Sequence, residues 1–254
     1  MHEKQTPETD IIAGRNAVLE TLRSGRPVDS VFLSSGERGG SLSVIAAMCR
    51  ERGIPVKQAS AEKLSFKCGH VNHQGVVAVI AAESYVTVDE LLRRAEERGE
   101  PPFLILCDGL EDPHNLGAVI RTAEAAGAHG VIVPKRHSVG LTAAVAKASA
   151  GAVAYLPVAR VSNLAQTIDQ LKERGIWIYG ADMEGSNWCG TDLAGPVGLV
   201  VGSEGFGISR LVREKCDFLL SLPMKGKINS LNASVAAGIL MYEAARQRAG
   251  LRAK

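Results

Sequence analysis

No apolar run in the 254-residue chain approaches the roughly 20 residues a membrane-spanning helix requires. The opening MHEKQTPETD also lacks a basic segment leading into an apolar one. These two absences lead us to expect a soluble, cytoplasmic protein without membrane partners. Cysteine is scarce: Cys49, Cys68, Cys107, Cys189 and Cys216 are odd in number, scattered, and contain no C-x-x-C pair. That pattern fits reduced thiols rather than a disulfide framework. Cys68, His70 and His73 are spaced as metal ligands can be, but no fourth ligand stands nearby in the sequence, and no metal is expected. An excess of one charge is lacking too. With a net charge of +2, any contact with nucleic acid must come from local basic patches. Hydrophobic residues at 46% and charged residues at 22% describe an ordinary globular chain, long enough for one large domain or two modest ones.

Along the chain, residues 11–82 mix helical and strand patterns. A helical stretch from Asn16 to Arg23 precedes the apolar Val28–Leu33; a helix from Leu42 to Arg52 precedes Ile54-Pro55-Val56; and 75–82 reads as a buried strand. Residues 1–82 are thus expected to form a small α/β domain. Thr87-Val-Asp-Glu90 has the form of a capping box and opens a helix that ends at Gly99, before Pro101-Pro102. With three basic and six acidic residues, 83–100 reads as a linker helix. From residue 101 to 254 strands alternate with helices. The strands are expected at Phe103–Cys107, Gly130–Val133, Ile176–Ala181, Val197–Val201 and Phe218–Leu222. The helices are expected at Leu116–Ala126, Thr142–Ala148, Leu164–Arg174, Ser209–Lys215 and Leu231–Arg248. Near-continuous apolar strands alternating with helices predict an α/β fold with a mostly parallel sheet covered on both faces. Ligands in such sheets bind beyond the carboxyl ends of the strands, which directs attention to the loops after Cys107, Val201 and Leu222.

In the first loop Asn115 suits a helix N-cap, and Arg121 can reach Glu124 at i, i+3 as a surface ion pair. The second loop, Gly202-Ser-Glu-Gly-Phe-Gly207, brings three glycines directly after a buried strand, where backbone can approach a ligand closely. Its spacing is not the dinucleotide fingerprint, it lacks a phosphate-binding lysine, and Glu204 is unfavourable to phosphate but compatible with a cation. In the third loop Ser230 or Asn232 can cap the final helix, and Lys225 and Lys227 are either solvated lysines or contacts for RNA phosphates.

Together Asp112–Glu124, Leu199–Gly207 and Leu222–Val235 resemble the SpoU-type (TrmH-like) RNA 2′-O-ribose methyltransferases of the SPOUT superfamily, and within it the subgroup acting on guanosine in ribosomal RNA. Ile12–Val18 and Asn72–Val77 resemble that family's substrate-binding domain, so His73 and Gln74 belong to its usual loop and not to a metal site. The resemblance implies a trefoil knot in the C-terminal domain, a homodimer, and S-adenosylmethionine held by backbone at Gly202, Leu222 and Leu231. It further implies catalytic roles for Asn115, Arg121, Glu204, Ser230 and Asn232, and RNA contacts at Arg15, Asn16, Lys225 and Lys227. Leu222 stands where relatives often have isoleucine, a change that a backbone contact tolerates. The implied reaction is methylation of a ribose 2′-hydroxyl in 23S ribosomal RNA. A guanidinium keeps its proton across the physiological range, so Arg121 suits stabilisation of the developing alkoxide, or fixing of the adjacent phosphate, better than a literal base role. Transfer RNA is the alternative substrate. A non-catalytic RNA-binding or ribosome-assembly protein and, more distantly, a nicotinamide oxidoreductase are the other classes.

Overall fold

A computed structural model describes residues 11–251, apart from 24, 26, 36–39, 70, 81–83 and 229. His70 and the end of the strand expected over 75–82 therefore lie outside the described residues. The chain divides into two compact units, Met1–Ser84 with Gly140–Ala143, and Tyr85–Val139 with Ala144–Lys254.

The first unit is built on β1 (Ile11–Ala13), α1 (Arg15–Arg23), β2 (Val28–Ser34), α2 (Ser41–Glu51), β3 (Val56–Ala59), α3 (Ala61–Lys67) and β4 (Val76–Ile80). Its sheet has the order β1-β4-β2-β3, antiparallel except for the β2–β3 pair. Strand side chains alternate between faces. Val76, Ala78 and Ile80 accordingly join Val31, Leu33 and residues of α1 and α2 in one apolar cluster. Phe32 and Val77 point the other way, into a smaller cluster closed by Leu64 of α3.

The second unit opens with α4 (Val88–Arg98), followed by β5 (Phe103–Cys107), α5 (Pro113–Ala125), β6 (Gly130–Pro134) and α6 (Ala143–Ala148, whose first residue groups with the first unit). It continues through β7 (Val158–Val161), α7 (Leu164–Glu173), β8 (Trp177–Asn187), β9 (Val197–Val201), α8 (Arg210–Lys215), β10 (Phe218–Ser221) and α9 (Ala233–Arg248). All six strands are parallel, in the order β10-β8-β9-β5-β6-β7. Every residue of the central strands β5 and β9 is buried, as expected of a sheet covered on both faces. The capping box at Thr87 and Glu90 is realised, and Gly99 ends α4 in the left-handed conformation. This helix groups with the second unit: Leu91 is fully buried in its core, and a β-carbon at Gly130 of β6 would lie 2.4 Å from the Leu91 side chain.

β1, α3, β7 and most of β3 go beyond the sequence expectation, as do short 3-10 turns at Ala152–Ala154 and Trp188–Gly190, and β8 runs six residues past Ala181. Its extension pairs with β10 across a register shift between Leu219 and Leu220, where Gly185 meets Leu219 backbone too closely for a β-carbon. In the middle of the sheet Cys107 pairs with Val201, so the loops following β5 and β9 leave the same edge side by side.

Candidate active site

The Asp108–Asp112 loop is tied to β9 and α8: the Asp108 N–H donates to the Val201 carbonyl at 2.8 Å, and the Asp108 carboxylate accepts from the Ser209 N–H at 2.7 Å. The N-cap of α5 is Asp112, not Asn115; its carboxylate accepts from the His114 N–H at 3.0 Å, with Pro113 in the first turn. Freed from capping, Asn115 is only 7% exposed and turns its side chain toward the start of α9.

The Gly202–Gly207 loop closes on itself, with paired backbone hydrogen bonds between Ser203 and Gly207 at 3.0 and 2.9 Å. A β-carbon at Gly202 would come within 2.1 Å of Gly207 backbone, so only glycine fits this turn. Gly207 itself takes a φ of +64°.

At the third loop the N-cap of α9 is Asn232. Its amide oxygen accepts from the Ser234 and Val235 N–H groups at 3.0 and 3.2 Å and from the Ser234 hydroxyl at 2.6 Å. Its amide nitrogen donates to the Asn115 amide oxygen at 2.9 Å and to the Glu204 carboxylate. One side chain thus joins all three loops. Ser230 does not cap the helix; with Leu231 it lines a cleft of about 450 Å3 between the second and third loops.

Gly202, Glu204, Leu222, Ser230 and Leu231 all border this cleft. Its apolar wall includes Leu220, Ala236 and Leu240, and its bordering carboxylates are Asp182 and Glu204. Among the described residues lining it there is no lysine or arginine, so the electrostatics favour a cation over a phosphate. Asp182 is a lining residue not anticipated from sequence. Burial works against its ionisation, but hydrogen bonds from Arg213 and the Glu184 N–H, with the Arg213 charge, hold it below the usual carboxylate range. It lies within β8, the neighbour of β9, one residue past the strand end expected at Ala181. Extending the rule about carboxyl ends of strands to Ala181 would have located it.

Arg121 lies two turns beyond Asn115 on the exposed side of α5. The expected pair with Glu124 is not formed, and among the described residues Arg121 has no ion-pair or hydrogen-bond partner. The Glu124 charge instead acts on Arg94. Lys225 and Lys227 are exposed in the third loop. In the first unit, the Arg15 N–H and guanidinium donate to the side chain and carbonyl of Gln74 at 3.1 and 2.8 Å, while Asn16 is exposed. His73 Nδ1 accepts from the Gly75 N–H at 3.0 Å, which places the ring proton on Nε2, 3.2 Å from the Ser65 hydroxyl. The loop anticipated around His73 and Gln74 is therefore internally braced.

A family model described as the SpoU rRNA methylase family matches residues 102–242, and one described as RNA 2′-O ribose methyltransferase substrate binding matches residues 11–86. The chain is similar to YacO of Bacillus subtilis (strain 168), named for the TrmH family of tRNA/rRNA methyltransferases, with 49% identity over 240 residues covering 94% of this chain and 96% of that one. Among solved structures it resembles the SpoU methyltransferase AviRb of Streptomyces viridochromogenes in complex with AdoMet, at a TM-score of 0.61 and 28% identity, covering 94% of this chain and 90% of that one. It also resembles an AdoMet-bound rRNA methyltransferase of Sinorhizobium meliloti, at a TM-score of 0.58 and 26% identity, covering 93% and 87%.

Proposed function

The chain belongs to the SpoU family of RNA methyltransferases, and from that premise we propose that it methylates a guanosine 2′-hydroxyl in 23S ribosomal RNA, in the cytoplasm, using S-adenosylmethionine. The observation that carries the reading is the position of the Asn115–Asn232–Glu204 cluster, joined by hydrogen bonds and set against a cleft fit for the donor. The fit is both steric and electrostatic. Gly202 leaves the backbone bare, the wall accepts an adenine and a methylene chain, and the charged side chains among the described lining residues, Asp182 and Glu204, are of the sign that suits a sulfonium. Backbone at Gly202, Leu222 and Leu231 would hold the donor, and no described residues form a metal-binding group.

S-adenosylmethionine supplies an electrophilic methyl group. The protein must bring a weakly nucleophilic ribose hydroxyl into line with it and accommodate the charge that develops on oxygen. Asn232 holds Asn115 and Glu204 in one orientation, leaving Asn115 to position the ribose and Glu204 to receive a hydrogen bond from it. Ser230, at the cleft, adds a hydroxyl beside the reacting groups. Arg121, whose guanidinium has no ion-pair or hydrogen-bond partner among the described residues, supplies a cation for the alkoxide or for the neighbouring phosphate. Lys225 and Lys227, exposed in the third loop and outside the cleft lining, meet RNA phosphates, and residues 1–82 engage RNA through Arg15 and Asn16.

The active form in this reading is a homodimer, with the C-terminal chain knotted as in the family. Along α9 Leu240 is buried and Ala236 faces the cleft, yet Val235 and Tyr242 remain half exposed, an apolar strip suited to a second copy. Transfer RNA is the second reading, favoured by the tRNA/rRNA designation of YacO. Methyl transfer assayed on isolated 23S ribosomal RNA and bulk transfer RNA, with the modified riboses mapped, separates the two. Incorporation confined to transfer RNA would refute the ribosomal assignment.

A further inference from the structure

The second face of the first unit's sheet is closed by one short helix. Over Phe32, α3 contributes Leu64 to the apolar cluster, and basic side chains gather at the margin. The Lys67 ammonium sits 4.4 Å from the centroid of the Phe32 ring, and that of Lys57, register partner of Phe32 on the edge strand β3, sits 5.6 Å away. Lys63 lies one turn before Lys67 on the same side of α3. Among the described residues none of the three has a carboxylate partner. Burial, then Lys63 and Lys57, push the Lys67 pKa down, with no acidic group acting in the opposite sense. Repulsion of this kind is relieved when an anion binds. Glu62, in the first turn of α3, is the acidic residue on this helix. Beside the cations Phe66 stands 81% exposed, one turn after Lys63, far outside the packing that accounts for Phe32.

We propose that Lys57, Lys63, Lys67 and Phe66 form a docking surface for an unpaired stretch of RNA, the ammonium groups taking backbone phosphates and Phe66 stacking on a base. Phosphate contacts supply affinity that is indifferent to sequence, and an exposed aromatic beside them selects bases freed from a helix, because a paired base offers no open face. An acidic protein segment would use the lysines but would cover Phe66 only with an aromatic side chain in the right register, whereas every nucleotide of an unpaired RNA brings a flat base beside its phosphate. The surface is made by β3 and α3 rather than by Arg15 and Asn16, and all four residues fall within the 11–86 stretch matched by the substrate-binding model. It rests on the reading of the chain as an RNA methyltransferase and adds the class of RNA segment its first unit grips: a loop, bulge or single strand in place of continuous duplex.

The full-length protein is titrated with a fluorescent oligouridine strand, and with the same strand paired to its complement, over a series of salt concentrations. Replacing the lysines together (Lys57→Gln, Lys63→Gln, Lys67→Gln) should lower affinity for the single strand at least about tenfold and make the log–log salt slope shallower by about 2, near 0.7 for each lost phosphate contact. The corresponding triple arginine variant should keep the slope, which a loss through misfolding would not allow. Phe66→Ala should weaken single-strand binding on the order of tenfold with little change in slope or in duplex binding. Wild-type affinity and slope in the triple glutamine variant, or equal effects of Phe66→Ala on single strand and duplex, would overturn the proposal. So would stronger competition by a polyglutamate peptide than by unlabelled oligouridine. Methyl transfer by the wild type to bulk ribosomal and transfer RNA is measured in parallel: its absence defeats the assigned reaction, whereas the binding comparison decides this surface independently.

Discussion

Arg121 is the side chain whose removal should separate binding from chemistry. Arg121→Ala is expected to leave donor affinity unchanged, since the donor cleft is lined by other loops, and to slow turnover by about 10²- to 10³-fold, the scale for losing one preorganised contact at a reacting oxygen. Arg121→Lys should restore only part of the rate, because the charge survives but the planar fork does not. Single-turnover methylation at saturating donor and RNA measures both; a rate within a few-fold of wild type would remove Arg121 from the mechanism. Gly202→Ala should act in the opposite way. Its new β-carbon meets Gly207 backbone at 2.1 Å and forces the turn open, so calorimetric titration should show donor affinity reduced at least about tenfold. His129 provides a pH test. The ring is fully buried, Nδ1 accepts from the Phe103 N–H at 3.0 Å, and Nε2 faces the Glu100 carboxylate at 3.1 Å. Burial lowers the histidine pKa from 6.5, outweighing the opposing pull of Glu100. Because the folded pKa lies below the unfolded one, the stabilisation is complete above the unfolded value and declines as pH falls through it. Melting temperatures from about pH 8 to pH 5 should therefore drop at the acid end, and less steeply in His129→Gln.

At the scale of elements, legibility followed length and contrast. The strands β5 and β9 end where their apolar runs end, because burial on both faces demands unbroken hydrophobicity. The capping box of α4 was equally readable, since its bonds are local. By contrast, β1, β3 and β7 are short enough that neighbouring strands, not their own sequences, determine them, and the extension of β8 depends on a register shift against β10. Caps were harder to assign. Asp112 and Asn115 both qualify by residue type; Pro113, suited to the first helical position, decides for Asp112. Ser230 and Asn232 posed the same choice, and the structure selects Asn232, which also orders Asn115 and Glu204. That double duty can be divided experimentally. Asn232→Asp keeps an oxygen for the cap but loses the amide donor and places a second carboxylate beside Glu204. Its melting temperature should stay near wild type while methyl transfer collapses. Asn232→Ala should lose both, the cap being worth about 1 kcal/mol.

For the whole molecule, the place of α4 determines where the chain can be divided. With Leu91 buried in the second unit's core, a fragment beginning at Tyr85 should fold and bind S-adenosylmethionine, whereas one beginning at Pro101 should melt at a markedly lower temperature. Equal melting temperatures would show α4 to be dispensable. The apolar strip on α9 bears on assembly: sedimentation should give a dimer for the full chain and a shift toward monomer for Val235→Glu. The bond between Asn115 and Asn232 spans 117 residues, and its second partner opens α9. Both amides, and the whole stretch between them, must therefore leave the ribosome before the two can meet. Closing a contact across such a separation costs more chain entropy than forming the local bonds within a helix. A nascent chain that has emerged only as far as α8 therefore carries the whole first unit while the candidate active site still lacks the Asn115–Asn232 bond.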